Sequence, residues 1–315
     1  MSRPRTFGQL GEVFDGPHAT PRRLDQGPYF LSISSLDKGR LNLDLSDHVS
    51  PADFALWTRR IEPREGDLLF SYETRLGEAA LMPARVEACL GRRMALLRPD
   101  TSVVDPRFLL YYYLSPYFQS VIAERAVHGA TVSRIPLIHM GSWPVDIPPI
   151  DKQRRIAEVL GALDDKMVEN RAVVQDIDEL VLCLFLQATE GAEKTPLSSI
   201  ALVNPSTLAS AGHGTLRYVD IGALGVGSMP LPIQTAWSDA PSRARRPVNK
   251  GDVLWSTVRP NLRAHALSLY EGSDLIASTG LAVIRPIEGD YAFVYECVRT
   301  AAFTSVATIT RIHTS

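Results

Sequence analysis

The chain has 315 residues, with 33 Lys+Arg against 35 Asp+Glu, 45% hydrophobic residues and a mean hydropathy of −0.01. That length predicts about two domains, each able to bury its own core, and the near-neutral charge gives no global sign of a nucleic-acid partner. Apolar runs of only a few residues exclude a membrane-spanning helix, the charged start Met1-Ser-Arg-Pro-Arg lacks the apolar stretch of a secretory signal, and three scattered cysteines (Cys89, Cys183, Cys297) exclude a disulfide framework or cysteine zinc cage, so a cytoplasmic protein is expected.

Taken in chain order, the elements of the first half return in the second. Tyr29-Phe-Leu-Ser-Ile33 resembles Arg217-Tyr-Val-Asp-Ile221, 188 residues on. Arg64-Glu-Gly-Asp-Leu-Leu-Phe-Ser71 returns as Asn249-Lys-Gly-Asp-Val-Leu-Trp-Ser256 at 185, and Ala95-Leu-Leu-Arg-Pro99 as Ala282-Val-Ile-Arg-Pro286 at 187. Asp105, Phe108, Phe118, Ser120 and Val121 recur as Asp290, Phe293, Phe303, Ser305 and Val306 at 185. Ala130-Thr-Val-Ser-Arg-Ile135 matches Ala307-Thr-Ile-Thr-Arg-Ile312 at 177, which predicts a deletion of eight residues in the second copy. Five matches in one order at nearly constant offset indicate a duplication. Within each copy, Asp67–Tyr72 and Met94–Leu97 read as strands. Arg107–Arg125 reads as a helix kinked or restarted at Pro116, and Tyr291–Val306 as a single helix. Strands mixed with helices without βαβ alternation predict an α+β fold, two similar domains separated by a long helix.

That helix is expected over Asp151–Ala188, with Asp151 as N-cap and Gly191 past its end. Ile156, Leu160, Leu163, Met167, Asn170, Val174, Ile177, Val181 and Leu184 are spaced alternately by 4 and 3, a heptad seam with one polar position. An Asn at such a position favours one pairing register. At 1.5 Å per residue the helix spans roughly 55 Å. The layout is a first domain at 1–149, a helical spacer at 150–194 and a second domain at 195–315. Residues 151–195 carry a net charge of −4, against 0 before and +2 after. The helix therefore reads as a protein-facing spacer, with Asp164-Asp165-Lys166 on a solvated face.

At the start of the helix stands Pro148-Pro-Ile-Asp-Lys-Gln-Arg-Arg-Ile-Ala-Glu-Val-Leu160. Together with the duplication, the twice-present G-D-[LIV]-L-x-S segment and Ala-Thr-x-[ST]-Arg-Ile, it resembles the specificity (S) subunits of type I restriction-modification systems. Pro148, Pro149, Gln153, Ile156, Ala157 and Leu160 match that family's junction, and Lys152 stands where Glu is usual. The resemblance covers essentially the whole chain. It implies a non-catalytic subunit whose two target-recognition domains bind the halves of a split DNA sequence. Its helices set the spacing and dock methyltransferase (M) subunits, and a restriction (R) subunit joins for cleavage. It implies no cofactor in this chain, while the partner subunits would use S-adenosylmethionine, ATP and Mg2+. Family members carry a second conserved helix that pairs with the first, and none follows the second copy here. The seam is therefore expected to pair two chains, to be completed by another polypeptide, or to belong to a truncated product. A coiled-coil adaptor that has lost DNA reading is the alternative function.

DNA reading calls for Arg and Lys at phosphates and guanine edges, with Ser, Thr, Asn and Gln at bases. Candidates in the first copy are Arg59, Arg60, Arg75, Arg92, Arg93, Thr131, Ser133 and Arg134, with Arg22 and Arg23 as a further basic pair. In the second they are Arg245, Arg246, Arg259, Arg263, Thr308, Thr310 and Arg311, beside Arg243. Arg75 and Arg259 follow the repeated strand at nearly equivalent places. Catalytic signatures are missing. Val219–Gly227 has G-x-x-G-x-G spacing and reads as a strand and turn, Asn204-Pro-Ser-Thr is not a methyltransferase motif, and there is no P-loop. The seven histidines form no H-x-x-x-H pair, so no metal site is expected.

Overall fold

Strand Leu68–Ser71 is entirely buried, and its side chains alternate between two cores. In the computed structural model, which describes residues 5–17, 20–129 and 132–310 (the last three by backbone alone), this strand lies inside a four-stranded antiparallel sheet. The order is Gly11–Asp15, Met94–Pro99, Leu68–Ser71, Ala79–Leu81. Leu68, Phe70, Ala95 and Leu97 face a core with Phe7, Tyr113, Phe118 and Trp143. Leu69, Met94 and Leu96 face a second core with Leu31, Leu36 and Leu90. Because both faces are covered, the strands read as continuous apolar runs rather than alternating ones. A second sheet holds Asp47–His48, Leu24–Leu31 and Ala88–Leu90, the last two paired in parallel.

The second unit repeats this arrangement. Its antiparallel sheet runs Ala201–Val203, Leu281–Pro286, Val253–Ser256, His265–Leu267, and its mixed sheet pairs Thr215–Val219 in parallel with Leu275–Ser278. Registers agree residue for residue: Met94 pairs with Ser71 as Leu281 pairs with Ser256, and Leu31 with Leu90 as Val219 with Ala277. Gly66 and Gly251 open the repeated strand with φ of +83° and +86°, a conformation that disfavours any side chain.

Two helices close each unit. Asp105 caps Pro106–Leu114 by accepting from the Phe108 amide at 2.9 Å, and Ser115 caps Pro116–Arg125, so Pro116 restarts the chain. Asp290 caps Tyr291–Arg299 in the same way. The single helix expected over Tyr291–Val306 is instead two. Thr300 is extended (φ −65°, ψ 152°), and its hydroxyl accepts from the Phe303 amide at 3.1 Å, opening Ala301–Thr310 without the help of a proline.

The fifth sequence match also needs correction. Ala307–Thr310 lies in this last helix, whereas Ser133–Arg134 is a strand paired with Val127–His128. Those two segments are not equivalent, since residues 307–310 fall opposite residues 122–125 at the constant offset, so the match does not support the expected eight-residue deletion.

The long helix runs Ile150–Ala188, so Asp151 lies in its first turn rather than at its cap. Its buried line is Gln153, Ala157 and Gly161, one turn apart each and displaced from the heptad seam. Gln153 fixes the start: its Oε1 accepts from the Asp105 amide at 3.0 Å, and its Nε2 donates to Pro148 O at 2.8 Å and Val103 O at 3.2 Å. Gly161 admits the Arg107 guanidinium, which a Cβ would meet at 2.5 Å. Asp164 and Asp165, expected on a solvated face, hold the first unit: Tyr111 donates to Asp164 at 2.8 Å and Arg107 to Asp165 at 2.9 Å. The two compact units divide within this helix, between Val173 and Val174. From there on, Asp178 pairs with Arg299 and Phe185 packs on Phe293, centroids 5.5 Å apart.

Candidate nucleic-acid interface

The repeated strand ends in both units on a turn built in the same way. The Ser71 hydroxyl donates to Glu73 O at 2.8 Å and the Ser256 hydroxyl to Val258 O at 2.9 Å. The amides of Tyr72 and Thr257 then donate across to Arg93 O (3.2 Å) and Gly280 O (3.1 Å) on a second tight turn. Each unit thus brings together two turns far apart in sequence. Thr74 and Arg259 occupy the same place in the repeat, and both are left-handed, with φ of +69° and +55°.

In the first unit this edge collects Arg75, Arg92, Arg93, Ser133 and Arg134. The Tyr72 hydroxyl donates to Arg92 O at 2.7 Å, the Thr74 amide to Ser133 O at 3.3 Å, and Glu73 bridges to Arg134. Burial is the main cause raising the Tyr72 phenol above its usual pKa, so it stays a donor. Arg93 makes a loose pair with Glu73 at 3.4 Å. Arg92 and Arg134 are exposed, with no hydrogen-bond or ion-pair partner for either side chain among the described residues. Ser133 shares a hydrogen bond with the His128 ring at 2.9 Å. Arg75 is committed inward, donating to Ile33 O and Leu36 O at 3.3 Å and to Glu78 at 2.9 Å. Arg59 is exposed and unpartnered among the described residues, whereas Arg60 pairs with Asp15 and lies over the Phe14 ring. Thr131 lies outside the described residues.

In the second unit, exposed Arg259 is unpartnered among the described residues. Three neighbouring arginines expected at the surface serve the fold instead. Arg246 is 6% exposed and donates to Leu281 O, and burial lowers its pKa. Arg263 donates to Arg299 O, and Arg245 to Ser242 O at 2.9 Å. A pattern of adjacent arginines does not distinguish such core cations from surface ones, because both carry long apolar stems. The side chains of Thr308 and Thr310, and all of Arg311, lie outside the described residues.

Beside the first-unit edge is a cleft of about 380 Å3 lined by Arg23, Phe30, Ser32, Ser34, Arg92 and Arg93 among others. Arg23 pairs with Asp47 at 2.8 Å and lies over the Phe30 ring, and the Ser32 and Ser34 hydroxyls are 2.7 Å apart. The serines carried no sequence signal. Only their place just after the Leu24–Leu31 strand, facing the Gly91–Arg93 turn, marks them.

Along the long helix the seam residues are open: Leu160, Leu163, Met167, Val174, Ile177, Val181 and Leu184 are 37–67% exposed, Asn170 is exposed, and Ile156 is half-buried. Among the described residues no cluster of three His, Cys, Asp or Glu is placed to hold a metal ion, and no helix is long and apolar enough to cross a membrane.

No protein-family profile matches the chain. It is 31% identical over 107 residues to a putative type I restriction enzyme MjaX specificity subunit of Methanocaldococcus jannaschii, covering 32% of this chain and 24% of that protein. It is 24% identical over 129 residues to the type I restriction enzyme HindI specificity subunit of Haemophilus influenzae, covering 39% and 27%. The match thus spans about a quarter of the length of these curated relatives. A solved type I restriction-modification S subunit from M. genitalium shares the fold, with a TM-score of 0.55 at 15% identity over 99% of this chain and 80% of that one. The chain's curated homologues are type I specificity subunits, and its mixed helix-and-strand fold is one such a subunit adopts.

Proposed function

We propose that this chain is the DNA-reading specificity subunit of a type I restriction-modification complex, with two target-recognition domains joined by a helical spacer. The observation that carries this reading is the duplication. Two units with the same antiparallel sheet order, register and edge turns, each presenting at its edge an exposed arginine without a partner among the described residues, suit the recognition of a split duplex sequence. A rigid helix between readers converts its length into a base-pair gap, as dimer geometry does in other DNA-binding proteins. Phosphate contacts would come from exposed Arg59, Arg134 and Arg259, base contacts from the edge turns. Catalysis, with its S-adenosylmethionine, ATP and Mg2+, would belong to methyltransferase and restriction subunits.

The exposed seam supports helix pairing, whether with a second copy or with a helix of a partner subunit. An apolar stripe of this length in water favours burial against its like. Sedimentation of the purified chain, with and without Leu163→Glu and Ile177→Glu together, tests self-association. A concentration-dependent dimer lost in the variant supports it, and a monomer throughout leaves the seam to another polypeptide.

The main test is methylated-base mapping of genomic DNA in cells carrying the methyltransferase subunit, with and without this chain. A new adenine mark at a split motif, present only with the chain, is expected. No such mark, with both proteins soluble and associated, would overturn the reading.

A further inference from the structure

The edge turns share one backbone frame but carry opposite chemistry. In register, Ser32, Ser34, Arg92 and Arg93 of the first unit correspond to Asp220, Gly222, Thr279 and Gly280 of the second. The three-residue helical turns that face them, Ile33–Ser35 and Ile221–Ala223, correspond as well. The frame is held in both by an equivalent bond: Tyr72 N donates to Arg93 O at 3.2 Å in one, and Thr257 N to Gly280 O at 3.1 Å in the other. Side chains on a common frame that differ this sharply are not needed for folding, since each unit folds with its own set.

We propose that Arg92 is the specificity-determining residue of the first unit, reading a guanine edge of duplex DNA, and that the second unit, with Thr279 and Asp220 in the matching places, makes no such contact. The inference rests on the DNA-reading function proposed above.

Three features point to a base rather than a phosphate. The Arg92 guanidinium has no hydrogen-bond or ion-pair partner among the described residues, while Arg23 and Arg93 beside it are paired with Asp47 and Glu73. Its backbone is fixed on both sides, by the Tyr72 hydroxyl on Arg92 O (2.7 Å) and by Met94 N on Gly91 O (3.0 Å). A free fork on a fixed turn suits bidentate donation to guanine O6 and N7, the commonest specific arginine contact to a base. Finally, Ser32 and Ser34 set hydroxyls in the same cleft that can donate or accept at a neighbouring base. In the second unit the matching carboxylate of Asp220 would repel a phosphate and accept from an amino group.

The test is selection from a pool of randomised duplexes by the complex of the full chain with its methyltransferase subunits, wild type against Arg92→Ala. The wild type is expected to require guanine at one position of one half-site. Arg92→Ala should lower that preference by about 10- to 100-fold at that position alone, leaving the other half-site intact. A uniform loss of affinity across sequences would make Arg92 a phosphate contact and overturn the inference, as would an unchanged motif. A wild-type complex that selects no sequence would overturn the DNA-reading function itself, and the inference with it. The converse variant, Thr279→Arg with Asp220→Ser, is expected to add a guanine preference to the second half-site; if it leaves that half-site unchanged, the shared frame does not determine the contact.

Discussion

Arg285 holds both oxygens of Asp252, donating from Nε at 2.7 Å and from Nη2 at 2.6 Å, and Arg98 grips Asp67 in the same way at 3.0 and 2.7 Å. The Asp252 side chain is 1% exposed and also accepts from the Asn249 amide at 2.7 Å. The repeated Gly-Asp and Arg-Pro segments are therefore two ends of one clamp, tying the start of a strand to the end of its neighbour. Removing one partner of a buried pair strands a charge in low dielectric. Asp252→Ala is expected to destabilise the second unit by about 3 kcal/mol, read as a lower urea midpoint. Asp252→Ala with Arg285→Met should recover much of that loss, because no unpaired charge is left.

Gln153 plays a comparable part where the first unit meets the helix. Its amide satisfies three backbone groups that no other side chain reaches among the described residues, those of Asp105, Val103 and Pro148. Gln153→Leu matches its size but leaves one N–H and two carbonyls unpaired, at about 1–3 kcal/mol for each group that water cannot reach. The expected result is a loss of several degrees in Tm, together with faster amide exchange at Asp105.

The duplication and the long helix were legible because both write period into sequence, one at the scale of a domain and the other of the heptad. Even the offsets of 185 and 187 are the true structural register at Ser71 and Met94. What was not legible follows from the same physics. Thr300 divides two helices by its own hydroxyl, without the proline that marks Pro116. Arg246 and Arg92 are both arginines beside arginines, and only packing makes one a core donor and the other a free fork. The helix seam was visible, but the line that docks the helix on its own unit, Gln153, Ala157 and Gly161, runs along another face. Its small residues mark close approach rather than hydrophobicity.

Acid should weaken the second unit through His265. The ring is 2% exposed, and its Nδ1 lies 2.6 Å from Arg263 O, which only accepts, so the neutral ring carries its proton there. Burial is the main force holding the imidazole below its ordinary value of 6.5. The Arg263 carbonyl opposes it, the Arg299 and Arg263 charges reinforce it, and Asp178 opposes it weakly. The unfolded chain therefore binds a proton as pH falls through about 6.5, before the folded chain does. The stabilisation is fully present above that pH and declines below it. Tm measured from pH 7.5 to 5.5 should fall in the wild type, with a smaller slope in His265→Gln. Equal slopes would show that His265 does not contribute.

Arg75 and Arg259 looked interchangeable in the sequence, and the structure separates them. Arg75 holds the carbonyls of Ile33 and Leu36 and the Glu78 carboxylate, so Arg75→Ala should lower stability by about 1–2 kcal/mol with DNA affinity little changed well below Tm. Arg259 makes no such bonds, yet it sits at φ +55°, a left-handed conformation that costs a non-glycine residue roughly 1–2 kcal/mol. Thr74 carries the same left-handed strain at the matching place in the first unit, so the strain belongs to the shared turn and the exposed charge is what sets Arg259 apart. Arg259→Gly removes both the charge and the strain. It is expected to raise the stability of the second unit by up to about 1 kcal/mol while weakening duplex binding, with the log–log salt slope reduced by about 0.9. Thermal melts and salt-titrated anisotropy of the same preparation read the two effects together. A variant that becomes more stable and still binds with an unchanged slope would show that Arg259 does not touch the phosphates.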